Sequence, residues 1–351
     1  MENKTRKSLI KRVFVISIFI LFLYNIGIGY LLIKSRLFSH LAIWKIIETN
    51  KQEDLYWSPE NSPKYFSFEA EPGKLLTFKN EIEPYIKNEN DEFKIILETA
   101  KYIIKISSNN SQSIRSVKWD SPEGILKQVK KGANANCFHR AILFSTCLAS
   151  LGIKSRVWAV ENEKFNDIPH SVNEVYLKSM RKWVFIDTMF GFYVTENNVA
   201  LSLLELRERL LNGNSTMISV HNLGDVNKRQ KEIPRFYKQL VQCVFLRTGN
   251  NFIDKYNTRY GAFSVFKKYL DRLPGRIRKG VSYFFAEGDI FIHYVDKFSR
   301  SLGPGIIIAK LLFYFLIFSS VLVGIAAVTF ALAFLKHSLL VNLSKKDTPH
   351  T

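Results

Sequence analysis

Two uninterrupted apolar blocks near the ends restrict what this chain can fold into. Val13–Ile33 holds no charge and a single Asn, and Leu311–Leu335 holds neither. At about 1.5 Å of rise per residue, roughly twenty residues cross a hydrocarbon core of about 30 Å. Each block therefore reads as a transmembrane helix. A cleaved signal peptide is the competing reading of the first. Its apolar run is long for that, and IKSRLFSH behind it offers no small-x-small cleavage site. The expected plan is an N-terminus at 1–12, a membrane helix at 13–33, a soluble region at 34–304, a second membrane segment at 305–335 and a tail at 336–351.

The formal charge of +19 divides unevenly along the chain. Residues 34–304 carry 41 Lys/Arg against 29 Asp/Glu, a net of +12. A long translocated domain escapes the positive-inside rule, so the flanks decide sidedness. Lys4, Arg6, Lys7, Lys11 and Arg12 crowd the N-terminus, and Lys336, Lys345 and Lys346 follow the second block. Both ends are expected in the cytoplasm and the domain on the extracytoplasmic side of a cell membrane. Lys34, Arg36 and Lys45 run against that placement. Nucleic acid is not an expected partner for a domain so placed. Membrane lipid is, and Arg272, Arg276, Arg278 and Lys279 form either a solvated face or a site for anionic headgroups or an acidic polymer. In the second block Ser320, Gly324, Ala327 and Ala331 share one side, which permits close packing against the first helix or a membrane-protein partner.

Within the soluble region, 34–90 shows turn formers and, beyond them, only an expected strand around Tyr65–Glu69. A core spans 91–195. In Glu92–Ser108, Phe93, Ile96, Leu97, Ala100, Ile103 and Ile104 recur at three- and four-residue steps and make one apolar helix face. Ser121-Pro122-Glu123 signals the start of a short helix to about Lys131. Asn134–Asn136 can cap a helix from about Cys137 to Leu151, with Gly152 to end it. Arg156–Glu161, Ser171–Leu177 and Lys182–Asp187 have strand composition, the last two joined by a turn at Lys178–Arg181. One helix followed by an antiparallel sheet is an α+β core. Residues 196–304 read as a helical extension, notably at Ala200–Leu211 and Tyr260–Leu273.

Three cysteines do not make a disulfide scaffold. Cys137 is set apart by its place in the first turn of a helix. Unpaired N–H groups and the helix dipole favour a thiolate there and can hold an oxyanion. The bland alternative is a buried small residue. A nucleophile needs a base and the base an orienting group. His170 opens one strand and Asp187 closes the next, so a hairpin turning at Lys178–Arg181 brings both to the same end. Each alone would pass as a loop histidine or a turn former; the joint arrangement points to catalysis. His139 falls about 200° around the helix from Cys137 and is expected to be structural or at the surface. Cys137, His139, Cys147 and His170 lack the close spacing of a zinc site, so neither metal nor other cofactor is expected. Glu174 reads as a structural residue on the sheet face.

The stretch Asn136–Tyr193 resembles the transglutaminase-like superfamily, a papain-like Cys-His-Asp fold. The resemblance rests on Cys137 before an apolar helix; Leu151, Gly152, Ile153 and Arg156 at its exit; His170, Glu174 and Val175 on one strand; and Trp183 and Asp187 on the next. Asn136 replaces the Gly or Gln often found before the nucleophile, and Thr188 the Pro often found after the acid. The resemblance implies acyl transfer on a peptide or amide-bearing substrate. Cys137 would attack the carbonyl, His170 would move the proton, Asp187 would hold the imidazole, and water or an amine would take the acyl group. A catalytically silent transglutaminase-like module binding a cell-surface partner is the alternative. Reporter fusions at the two termini test the sidedness: both should report cytoplasm, and a split or reversed result would overturn the placement.

Overall fold

The computed structural model describes residues 45–68, 72–108, 116–118, 121–163, 169–224, 233–253 and 290–302, with scattered positions at 19–27, 269, 272 and 307–332. The chain divides into two compact units, 43–301 and the terminal stretches 1–42 with 302–351. The larger unit opens with strand β1 (Lys45–Thr49) and then lays down four helices: α1 (Leu76–Ile86), α2 (Glu92–Ser108), α3 (Pro122–Lys130) and α4 (Cys137–Ser150). Strands β2 (Ser155–Glu161), β3 (His170–Leu177), β4 (Lys182–Asp187), β5 (Phe192–Glu196) and β6 (Val199–Ala200) follow. Then come α5 (Leu203–Leu211), β7 (Ile218–Asn222), α6 (Ile233–Leu240), β8 (Cys243–Arg247) and β9 (Ile290–Tyr294). These strands make one sheet in the order β1-β9-β8-β2-β3-β4-β5-β6, with β7 also paired to β5. The β1–β9 pair is parallel and the other pairs are antiparallel. This is the expected α+β core, enlarged.

Local chemistry sets the helix ends. The Ser121 hydroxyl accepts from the Gly124 N–H at 3.1 Å, and Pro122 occupies the first turn, where its missing N–H costs nothing. Asn136 caps α4, its side-chain oxygen accepting from the His139 N–H at 2.9 Å. Gly152, at φ +74°, closes α4: its N–H bonds the Ala149 carbonyl while that of Ile153 bonds the Leu148 carbonyl. That paired return requires a left-handed residue, which glycine adopts without a Cβ clash.

The sheet separates two apolar cores. On one side α1 to α4 pack on Val157, Val175, Leu177, Val184 and Ile186. On the other an aromatic-rich cluster gathers Trp57, Trp158, Trp183, Phe185, Phe192 and Tyr237 with α5 and α6. Side chains alternate between faces along a strand, so β2 and β3, covered on both, are buried almost throughout. The aromatic side contains a buried ion pair. Glu174, directly opposite Arg156 in register, accepts from Arg156 Nε and Trp158 Nε1 at 2.6 Å each and from the Leu203 N–H at 2.7 Å. Arg156 also donates to the Leu55 carbonyl at 2.7 Å, and its guanidinium lies 4.2 Å from the Trp183 ring centroid. Both side chains are fully buried. This gives physical content to the Arg156 and Glu174 of the sequence pattern: a charge removed from water must be met by donors, and here those donors tie β2, β3 and the head of α5 together.

Two readings of the sequence need correction. The helical reading of 200–300 holds for α5, whose Ser202 and Glu205 form a capping box, and for α6. It fails for β7, β8 and β9. CVFLR of β8 is a short apolar run whose periodicity cannot separate helix from strand, and its position between β2 and β9 decides the matter. Strands β6 to β9 thus complete the sheet of the core. The strand expected around Tyr65–Glu69 reduces to a bridge from Ser67 to Gly249, while Phe66 packs on Trp57 with ring centroids 4.6 Å apart. The expected helix Tyr260–Leu273 lies almost wholly outside the described residues, as do Arg276, Arg278 and Lys279; Arg272 is exposed.

In the smaller unit, most of the first apolar block and part of the second fall outside the described residues, and among the described residues no helix is long and apolar enough to cross a membrane. Where the blocks are described they touch. Ser319 Oγ donates to Asn25 Oδ1 at 2.6 Å, and the Tyr24 and Phe315 rings meet edge to face at 6.1 Å. Gly324, on the expected small-residue side, has open space around its missing Cβ.

Removing one member of the buried ion pair should be costly. Arg156→Ala is expected to lower stability by about 3–5 kcal/mol, read from the urea midpoint by tryptophan fluorescence. A loss below about 1 kcal/mol would show that the pair does not hold the strands.

Candidate active site

Three elements bring the chemistry together. Cys137 heads α4, His170 begins β3 and Asp187 ends β4. The antiparallel register pairs Asn173 with Ile186, so the start of β3 and the end of β4 lie at the same end of the sheet, as the hairpin argument requires. Alternation puts His170, Glu174 and Asp187 on the aromatic side, whereas α4 packs on the other. Cys137 reaches the imidazole past the strand end, where its sulfur lies 3.9 Å from the Pro169 carbonyl oxygen.

The helix is held in that position by two polar side chains. Asn173, fully buried on β3, donates from Nδ2 to the Ala141 carbonyl at 3.1 Å and to Ser145 Oγ at 2.9 Å. Arg140, one turn after Cys137, donates to the carbonyls of Ser107 and Thr188 at 3.2 and 3.4 Å, joining α4 to the end of α2 and to the turn after Asp187. It brings a buried positive charge close to both Cys137 and Asp187. His139 is buried and its ring is pushed down to about 4 by that burial, so it is neutral at ordinary pH and stands apart from the site.

The acid is the most enclosed member. The Asp187 side chain has no exposure and accepts from His170 Nε2 at 2.7 Å, from the N–H groups of Met189 and Phe190 at 2.7 and 2.9 Å, and from the Tyr237 hydroxyl. Burial works against its charge, but the imidazolium and these donors outweigh that and hold the carboxyl below its ordinary range. Burial likewise opposes a charged His170, and Asp187 overcomes it, so the imidazole is pushed up to about 10. For Cys137, burial favours the thiol; the hydrogen bond and charge of His170 prevail and draw it below the ordinary value. The three groups together favour a thiolate beside an imidazolium and a carboxylate. The other two thiols are different: burial drives Cys147 far up and Cys243 to about 11.

All three residues singled out in the sequence are therefore brought to one place. Arg140, Asn173 and Tyr237 were not singled out. A lone Arg in the apolar run of α4 and a lone Asn in β3 were visible signals. Tyr237 gave none, lying fifty residues beyond the acid it touches. Among the described residues no three His, Cys, Asp or Glu side chains converge as a metal site would require.

A helix-borne cysteine facing a strand-borne His–Asp pair defines the papain-like class of cysteine folds. Compared with known protein families, residues 80–188 match the Transglutaminase-like superfamily, whose members are in general cysteine-dependent acyltransferases or proteases. The match takes in α2, α3, α4 and β2 to β4 and stops one residue after Asp187. Among curated proteins and among solved structures nothing matches the chain.

Thiol reactivity tests the electrostatics. Iodoacetamide should modify one cysteine, Cys137, and do so well below about pH 8, where an ordinary thiol is mostly protonated. His170→Ala should return the rate profile to that of a free thiol near pH 8.5. Peptide mass mapping that finds Cys147 or Cys243 modified as fast would contradict the assignment.

Proposed function

We propose that this chain is a membrane-anchored transglutaminase-like cysteine enzyme that cleaves or transfers amide or peptide acyl groups through a Cys137 thioester. The observation that carries the reading is the buried 2.7 Å contact of His170 with Asp187 beside a thiol lowered by that same imidazole. In the first step the Cys137 thiolate attacks the carbonyl carbon. The negative charge that develops on oxygen is met at the head of α4, with the Cys137 N–H as donor. The tetrahedral adduct collapses, the C–N bond breaks, and the His170 imidazolium gives its proton to the leaving amine. The now neutral imidazole takes a proton from water or an incoming amine, which attacks the thioester; the C–S bond breaks and the thiolate–imidazolium pair is restored. Asp187 remains ionised throughout and keeps the ring in its orientation.

The apolar blocks Val13–Ile33 and Leu311–Leu335 support anchoring, with the domain on the extracytoplasmic side and lipid or a membrane protein as neighbour. The Asn25–Ser319 contact fits two packed helices, since a polar pair satisfies itself well inside an apolar environment.

Because any activated ester can report a competent thiolate, 4-nitrophenyl acetate serves as the probe. Intact-mass measurement should show one acetyl group on Cys137, released with time. Cys137→Ala should abolish the adduct, and His170→Ala should slow turnover by about 10³-fold or more. Turnover that ignores both substitutions would leave the chain a silent binding module.

A further inference from the structure

We infer that Tyr237, outside the family-matched stretch, is a positioning residue of the site: its hydroxyl fixes the Asp187 carboxylate and, through it, the His170 imidazole. The inference rests on the catalytic reading given above and extends it to α6.

The geometry is that of a filled carboxylate. Asp187 Oδ1 takes the N–H groups of Met189 and Phe190, while Oδ2 takes both His170 Nε2 and the Tyr237 O–H. A carboxylate has about four lone-pair positions, so these donors occupy its capacity and stop it turning about its own axis. The two backbone donors belong to the turn that Asp187 itself begins, and they travel with it. Tyr237 is the one non-catalytic donor among these four that comes from a separate element, and so it locks the acid to the rest of the fold.

The tyrosine is itself locked. Its ring is buried and stands edge-on to Phe185, Phe192 and His170, with centroids at 5.6, 5.3 and 6.2 Å. Ile233, Tyr237 and Leu240 form the buried face of α6, so the apolar pattern of that helix places the hydroxyl. The ring also lines a small apolar cavity with Phe192, Val194 and Leu206. A test must therefore keep the ring and remove only the oxygen.

An imidazole held by a loosened carboxylate stabilises a neighbouring thiolate less. The full-length wild type, Tyr237→Phe, Asp187→Asn and the double variant are treated with iodoacetamide between pH 5 and pH 10, and modification of Cys137 is followed by mass spectrometry. Tyr237→Phe should slow alkylation at pH 6 by about 10- to 100-fold, the range set by one hydrogen bond to a charged group. At pH 10, where the thiol ionises unaided, its rate should equal that of wild type. In the Asp187→Asn background Tyr237→Phe should add little, because it acts through that carboxylate. A Tyr237→Phe profile superimposable on wild type, slowing at both pH values alike, or a full additive effect in the double variant would overturn the inference while leaving the catalytic reading intact. A wild type that fails to react at pH 6 would overturn the catalytic reading itself, and this inference with it.

Discussion

A carboxylate with no access to water governs this molecule. Taken out of solvent, the charge of Asp187 would cost several kcal/mol if left unmet, and each of its neighbours is arranged to meet it. The turn at 188–190 folds back so that two N–H groups point at it; β3 must start beside the end of β4 to present His170; α6 must dock so that a hydroxyl arrives. The same negative charge keeps the imidazole protonated, and the imidazolium keeps the sulfur ionised. One buried charge thus propagates outward through two successive contacts to a half-buried sulfur at the head of a helix.

Arg156 and Glu174 repeat the principle without the chemistry. They too are opposite charges sealed in an apolar interior, but every partner is structural: an indole, a backbone amide, a carbonyl and three aromatic faces. The contrast separates the two carboxylates on the aromatic face of β3 and β4. Glu174 faces a guanidinium that does not change its proton count, and Asp187 faces an imidazole that can.

Two helices were legible from the residues because their signals are local: the apolar stripe of Glu92–Ser108, and the Asn136 cap and Gly152 stop that bound Cys137–Ser150. The hairpin of β3 and β4 was legible because its turn is local, and the turn sets the register that unites His170 with Asp187. What escaped depends on distant partners. β8 is a strand because β2 and β9 flank it, and CVFLR carries no sign of either. Tyr237 matters because of where α6 docks, and nothing within eight residues of helix reveals that. Arg140 and Asn173 lie between these cases: their polarity stood out, but the carbonyls they bond come from other elements.

The parallel pairing of β1 with β9 has a further consequence. These two strands carry the chain into and out of the larger unit, and Ser301 comes back to bond Glu48 on β1 at 2.6 Å. Entrance and exit are neighbours. The two ends of this unit could therefore be joined by a short peptide and new ends opened at the exposed bend between β3 and β4 without unthreading the sheet.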